Sequence, residues 1–525
     1  MRCDRQADPQ SASDTGDLAL TRIQRFDYII VGGGTAGCVV AARLSQDPAT
    51  RVLVLEAGGA EPTAEMANPM SWLTLPGTSV DWNYATVPQP GTNNAVHRWP
   101  RGKVLGGSSG INGMMHVRGD RSSYDTWETA GAAGWNYDAL LPFFKRSERA
   151  VGRDPAYRGL DGPVTVAPPS MTAFLWEACF EADLQAGYPF NDDSNGATAE
   201  GVAWTDMNVV DGVRQSAADA YLKPAAGRSN LIVVTEALVC RLLIESSCCR
   251  GVEYICDGQT HRSYADREVV LTAGAIGTPH LLLLSAIGPG QHLRDVGISA
   301  VADLPGVGAN LHDHPKSEVT YTARRPVRTG VYARKAHVLL RSETSATPDI
   351  QIIFADNPIH PRWTPGPENG YSVICALMSP ASRGSLQLAS ADPRQAPLID
   401  PNYLADERDM QRMVCGLRVA REVGTMEALA PVRERELFPG PDAWTDTMLH
   451  AHLRRSISTY YHPVGTCKIG NDVMSVVDAQ LRLYGISNVR VADASVMPSI
   501  VSGNTNAAVL AIAERAASML VSDST

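Results

Sequence analysis

The sequence predicts an α/β protein, α+β overall, in which a Rossmann-like nucleotide-binding domain carries an inserted antiparallel-sheet domain. Three observations predict it. A strand at 26–31, a glycine turn, an alanine-rich helix opening near Ala36 and a second strand at 51–55 compose a βαβ unit. Short β-branched runs at 231–234 and 269–272, bounded by turn residues, read as further strands of the same domain. From about 316 to 453 the pattern changes to strand patches at 350–354, 371–377 and 385–388 with a helical stretch after Arg408, which reads as a separate antiparallel sheet with helices that would line a substrate pocket.

In chain order, residues 1–24 are polar, without an apolar core of signal-peptide length, and read as a loose tail. Residues 25–315 form the first part of the nucleotide-binding domain. Its opening glycines, Gly32, Gly34 and Gly37, have the GxGxxG spacing that a tight turn, a close backbone approach to pyrophosphate and close helix-on-strand packing require. Thr35 and Ala36 open the helix whose N-terminus offers unpaired N–H groups and its positive dipole end to phosphate. Glu56, followed by Ala57, stands where a carboxylate accepts from a ribose 2′-hydroxyl. The fingerprint alone fits NAD and FAD alike. Residues 61–100, rich in Pro and Trp and poor in periodicity, read as a covering excursion.

A chain of 525 residues is long enough for several domains and a large core. Its net charge of −10 argues against a nucleic-acid footprint. Ten cysteines spread without a framework fit a reducing compartment, with Cys248 and Cys249 as packed thiols. The longest apolar runs, such as 281–284, fall far short of the ~20 residues that span a bilayer, so no transmembrane segment is expected and the cytoplasm is the default location.

Residues 101–113 are rich in small side chains and let the backbone lie against something flat or anionic. Within them, residues 106–110 satisfy GxSxG, the nucleophile elbow of serine hydrolases, with an acid and His462 following in that chain order. An elbow needs an apolar strand directly before its serine, and the approach at 97–103 is broken by Pro100 and by charges. The serine hydrolase is therefore a remote alternative.

Residues 102–112 resemble the first signature of the glucose-methanol-choline (GMC) family of FAD-dependent oxidoreductases, and Gly37, Ala41 and Leu44 resemble the GxxxAxxL continuation of FAD-type folds. Residues 274–279 and 285–288 resemble the second signature, with Ala286 in place of its usual glycine. Residues 382–384 and 400–403 resemble landmarks of the substrate domain. Residues 460–466, 489–495 and 504–507 resemble the C-terminal active-site segments, in a part (454–525) that returns to the cofactor domain. The resemblance covers nearly the whole chain from Phe26 and implies FAD rather than NAD.

It also implies that Arg101, Val104, Gly106, Gly107, Ser108, Asn112, Gly113, Val239, Ala273, Asp493, Ala494 and Asn504 join the glycine turn as cofactor contacts. Asn112 and Gly113 would lie against the isoalloxazine, and Asp493 at the ribityl chain or the pyrophosphate. In members that bind FAD covalently through histidine, that histidine directly precedes the matching Asn; Ile111 stands there, so FAD is expected to be held noncovalently. His312, Asp313 and His314 invite a metal assignment, but two histidines two apart lack a third partner at metal-site spacing, and the family carries a similar turn without a metal. No metal is expected.

Oxidising an alcohol removes a proton from oxygen and a hydride from carbon. Histidine suits proton acceptance near neutrality, and His462 matches the family's catalytic histidine. Asn506 matches the position of its second His or Asn, where the amide would orient the substrate oxygen; asparagine is also a favoured N-cap, and the two roles can coexist. The resemblance thus implies oxidation of a primary or secondary alcohol to an aldehyde or ketone, with hydride passing to flavin N5 and His462 as base. Oxygen, a quinone or a carrier protein would reoxidise the flavin. A hydroxynitrile-lyase-type member with non-redox FAD is the alternative within the family.

Overall fold

The computed structural model describes residues 24–60, 62–328, 332–360 and 366–523; all but the last residue of the expected tail lies outside these ranges. Strand Gln24–Val31 pairs in parallel with Val52–Leu55 on one side and Gln259–Leu271 on the other. Leu231–Val234 and Val489–Val491 extend this parallel sheet at its two ends. Every residue of Val52–Leu55 is buried, as expected of a strand covered on both faces. Leu238–Glu245 and Cys248–Cys256, which the sequence pattern did not separate, continue the sheet as an antiparallel meander from the first half of Gln259–Leu271.

Helix Thr35–Leu44 lies flush on this sheet because Gly37 faces the Gly32 carbonyl, where a Cβ would come within 1.9 Å of the oxygen. Its outer side is closed by helix Thr505–Ser522, whose buried Glu514 accepts from Arg43 Nε at 2.9 Å, Arg43 Nη2 at 2.7 Å and the Tyr221 hydroxyl at 2.8 Å.

The second sheet is antiparallel, in the order Arg433–Phe438, Pro315–Ala323, Gly370–Leu377, Ile350–Ala355, Ala336–Leu340, Gly201–Trp204. Helix Glu407–Thr425, N-capped by Asp406, packs on it, with Gly416 against Cys375. Two expectations need correcting. Gly201–Trp204 belongs here and not to the nucleotide sheet, because the fully buried strand Ala336–Leu340 would otherwise leave a row of unpaired backbone groups in the core. Ser385–Gln387 pairs with Leu398–Asp400 in a ladder of its own.

The chain crosses between the two sheets twice at one seam, where residues 312–316 run antiparallel to 458–464. Both histidines described next lie on that seam.

Candidate active site

A cavity of about 370 Å³ extends from the glycine turn to His462. Of the residues singled out in the sequence, Gly32, Gly34, Thr35, Ala36, Glu56, Ala57, Arg101, Gly107, Ser108, Asn112, Gly113, Val239, Ala273, His462, Asp493, Ala494, Asn504 and Asn506 line it. Gly37, Val104 and Gly106 do not. Gly37 is consumed by helix packing, Val104 sits in a small core with Met66, Leu75, Val80 and Ile111, and Gly106 adopts a φ of +93° while its N–H donates to the Gly33 carbonyl at 2.7 Å. These three shape the walls from behind.

The cofactor end fits FAD. A methyl at Gly34 would meet nothing nearer than 3.8 Å, so the gap between Gly34 and Gly107 admits a ligand against bare backbone. The helix that starts there has no acid in its first turn to repel phosphate. Glu56 is fixed by the N–H groups of Gly33 and Gly58, both at 2.8 Å, and its burial pushes the carboxyl up to about 7. Asp493 accepts from Gly274 N–H, Thr278 Oγ1, Ser495 N–H and Ser495 Oγ, and so ties the end of Val489–Val491 to the start of helix Gly274–Leu284. Its position in the wall is thereby rigid.

At the other end, the seam carries a bulge. Pro315 pairs with Thr459 and His312 with Val464, so three steps on one chain face five on the other. Tyr461 takes up the excess in the left-handed region at φ +70°, a conformation that a bulky residue keeps only when its surroundings enforce it. Tyr461 N–H donates to Thr459 Oγ1 at 2.7 Å, and Arg101 Nη2 donates to the Tyr461 carbonyl at 2.6 Å. The bulge delivers His462 with its backbone N–H on Asp313 Oδ1 at 2.8 Å and its Nδ1 2.9 Å from His314 Nδ1. Tyr403 donates its hydroxyl to the other oxygen of Asp313. Burial, reinforced by His314 and Arg101, holds His462 well below the usual histidine value, so the ring is neutral near pH 7.

The amide beside His462 Nε2 belongs to Asn504, whose Nδ2 lies 3.3 Å away. Asn506, expected to orient the substrate oxygen, lines the same cavity, and its Oδ1 accepts from Thr35 Oγ1 at 3.0 Å. The start of helix Thr505–Ser522 explains the two contacts: Asn504 is the N-cap residue, its side chain turns away from the helix N–H groups toward His462, and Asn506 in the first turn faces helix Thr35–Leu44. Ser108 lies in a 3₁₀ turn with its Oγ accepting from Gly102 N–H at 3.2 Å, not on an elbow after a strand. The side chains of the His-Asp-His cluster diverge, Asp313 to Tyr403 and His314 to His462, with Gly465 packed against His312.

The family model described as GMC oxidoreductase matches in two parts, residues 26–316 and 380–513. The chain is 41% identical to the mitochondrial choline dehydrogenase of Homo sapiens over 94% of this chain and 89% of the human protein. The chain belongs to the GMC oxidoreductase family. It is also 38% identical to the alcohol dehydrogenase [acceptor] of Pseudomonas putida over 94% of this chain and 96% of that protein. Among solved structures it is similar to pyridoxine 4-oxidase from Mesorbium loti, at a TM-score of 0.91 and 37% identity, over 94% of this chain and 98% of that one. A formate oxidase from Aspergillus oryzae follows at a TM-score of 0.88 and 28% identity, over 95% and 98%. As a GMC oxidoreductase it is an FAD-dependent enzyme acting on CH–OH groups, and none of these relatives speaks for the hydroxynitrile-lyase alternative. Among the described residues no helix is long and apolar enough to cross a membrane.

Sequence reasoning missed part of the wall. His280, whose burial pushes it down to about 4, lines the cavity from within the second signature, where its neighbours drew attention and it did not. Residues 393–396 line it from a turn-rich stretch that carries no motif. In the sequence His314 reads only as a candidate metal ligand, and nothing in its neighbours signals that it faces His462 across the seam.

Proposed function

We propose that His462 is the general base of alcohol oxidation in this enzyme and that Asn504 orients the substrate oxygen. The observation that carries the reading is the convergence of His462 Nε2 and the Asn504 amide at one end of the cavity whose other end is built for FAD. FAD, when bound, supplies the hydride acceptor. The chain does the rest. A neutral imidazole takes the hydroxyl proton at Nε2, the Asn504 N–H donates to the oxygen as it gains charge, and Trp72, Tyr460 and Met114 in the wall exclude water. The N-terminus of Thr505–Ser522 also lines the cavity and directs its positive end toward it. Asn506, held by Thr35, serves the cofactor side.

FAD is held noncovalently in this reading, since Ile111 lines the wall where linked members carry histidine. The substrate is a primary or secondary alcohol, and the acceptor of electrons is oxygen, a quinone or a carrier protein; the relatives include oxygen-dependent choline dehydrogenases. A cytoplasmic, reducing location is supported by the cysteines, all of which are free among the described residues.

The test is an anaerobic visible spectrum of the purified holoenzyme during addition of choline, pyridoxine and a series of aliphatic and aromatic alcohols, followed by air. Bleaching by one class identifies the substrate, and the speed of recolouring in air separates oxidase from dehydrogenase. His462→Ala should keep its FAD yet slow flavin reduction by at least ~10², the lower end of what general-base catalysis contributes. An unaltered reduction rate removes His462 from the mechanism.

A further inference from the structure

The two facing Nδ1 atoms of His314 and His462, 2.9 Å apart, share one proton, and its owner decides whether His462 Nε2 is a base or an acid. The hydrogen bonds around them decide the direction. Tyr460 uses its hydroxyl proton on Gln351 Oε1 at 2.9 Å, so toward Asn504 its oxygen is left as an acceptor. Asn504 contacts the Tyr460 hydroxyl, and its amide nitrogen lies 3.3 Å from His462 Nε2. An amide NH₂ only donates, so His462 Nε2 holds a lone pair. The ring proton of neutral His462 is then on Nδ1, donated to His314 Nδ1. A neutral His314 that accepts at Nδ1 carries its own proton on Nε2.

We propose that His314 is a positioning residue that fixes His462 in the tautomer with Nδ1 protonated and Nε2 free to accept the substrate proton. The inference rests on the reading of His462 as base. The seam supports it independently of any titration. His314 is fully buried, its carbonyl accepts from Tyr460 N–H at 2.9 Å, and the neighbouring Asp313 holds the backbone N–H of His462, so residues 313–314 grip both the main chain and the ring of one residue. The rings meet edge to face at 5.1 Å between centroids, which leaves the Nδ1–Nδ1 contact as the only hydrogen bond between them in the structure. The arrangement plays the part that a carboxylate plays for the histidine of a serine-protease triad, with a second imidazole as acceptor.

The experiment uses the FAD-loaded enzyme labelled with ¹⁵N-histidine, with His462 assigned by difference against His462→Asn, and two variants at His314. In His314→Asn the amide Oδ1 stands where Nδ1 stood and still accepts; in His314→Leu nothing does. At pH 8 the parent and His314→Asn should show His462 protonated on Nδ1 alone, and His314→Leu a mixture of tautomers. Anaerobic flavin reduction, with whichever of choline, pyridoxine or benzyl alcohol bleaches the parent, should fall at least about tenfold in His314→Leu and less than threefold in His314→Asn, FAD content being equal. A wrong tautomer in a serine-protease triad costs ~10⁴-fold, an upper bound here. Protonation of His462 on Nε2 in the parent, or equal rates in parent and His314→Leu, would overturn the inference while leaving the base intact. Undiminished reduction in His462→Ala would instead overturn the base itself.

Discussion

Gly34 and Gly37 stand three residues apart in one turn, and the structure assigns them different jobs that two alanine variants separate. At Gly37 an added Cβ would lie 1.9 Å from the Gly32 oxygen and 2.9 Å from Thr272 Oγ1, and the neighbour at 1.9 Å is backbone on the inner side of the turn. That oxygen accepts from Thr272 Oγ1 at 2.8 Å, so it cannot retreat by the ~1 Å needed without breaking the bond and opening the turn. Overpacking of this kind costs about 1–3 kcal/mol, a 5- to 150-fold change in an equilibrium constant. At Gly34 the nearest atoms to an added Cβ are at 3.8 and 3.9 Å, and its φ of −76° suits alanine. Gly37→Ala should therefore lower both the unfolding midpoint of the apoprotein and its affinity for FAD. Gly34→Ala should leave apoprotein stability within ~0.5 kcal/mol and weaken FAD alone, because its methyl occupies the space the pyrophosphate needs. Urea unfolding of both apoproteins and FAD titration by flavin fluorescence measure the two quantities. An unchanged midpoint for Gly37→Ala, or unchanged FAD affinity for Gly34→Ala, would refute the division of labour.

Three further outcomes are expected. Because burial holds His462 well below the usual histidine range, its base form persists on acidification, and anaerobic flavin reduction at saturating alcohol should change less than twofold between pH 8 and 6.5, where an unperturbed imidazole would lose half its base. Glu56, raised to about 7 in the folded protein from an ordinary carboxyl value, favours the folded state only while protonated; apoprotein stability should fall as pH rises from about 4.5 through 7, by up to roughly 3 kcal/mol relative to Glu56→Gln, which has no such group. Glu514→Ala leaves Arg43 and Tyr221 without their shared carboxylate between the two packed helices, and thermal unfolding should report a loss of roughly 2–4 kcal/mol, moderated because Arg146, its second cation, reaches solvent.

What the sequence determined by itself is the local chemistry of short stretches. Glycine spacing, the strand before it and the acid after it specify the nucleotide cradle, because a tight turn and a close phosphate approach depend on residues within one βαβ unit. His462 was legible for the same reason, as part of a contiguous segment. Contacts across the chain were not. Gly201–Trp204 looks like any short strand until Ala336–Leu340 needs a partner, and no periodicity encodes which sheet a four-residue strand joins. Asn504 and Asn506 differ by two positions on one helix start, and only the direction of that helix relative to His462 and Thr35 decides which amide stands beside His462. His314 lies 148 residues from His462 and meets it because the seam register, bulged at Tyr461, sets the two rings against each other. Sequence fixes which groups are present; a hydrogen bond with one proton and two claimants is settled only by the fold that surrounds both.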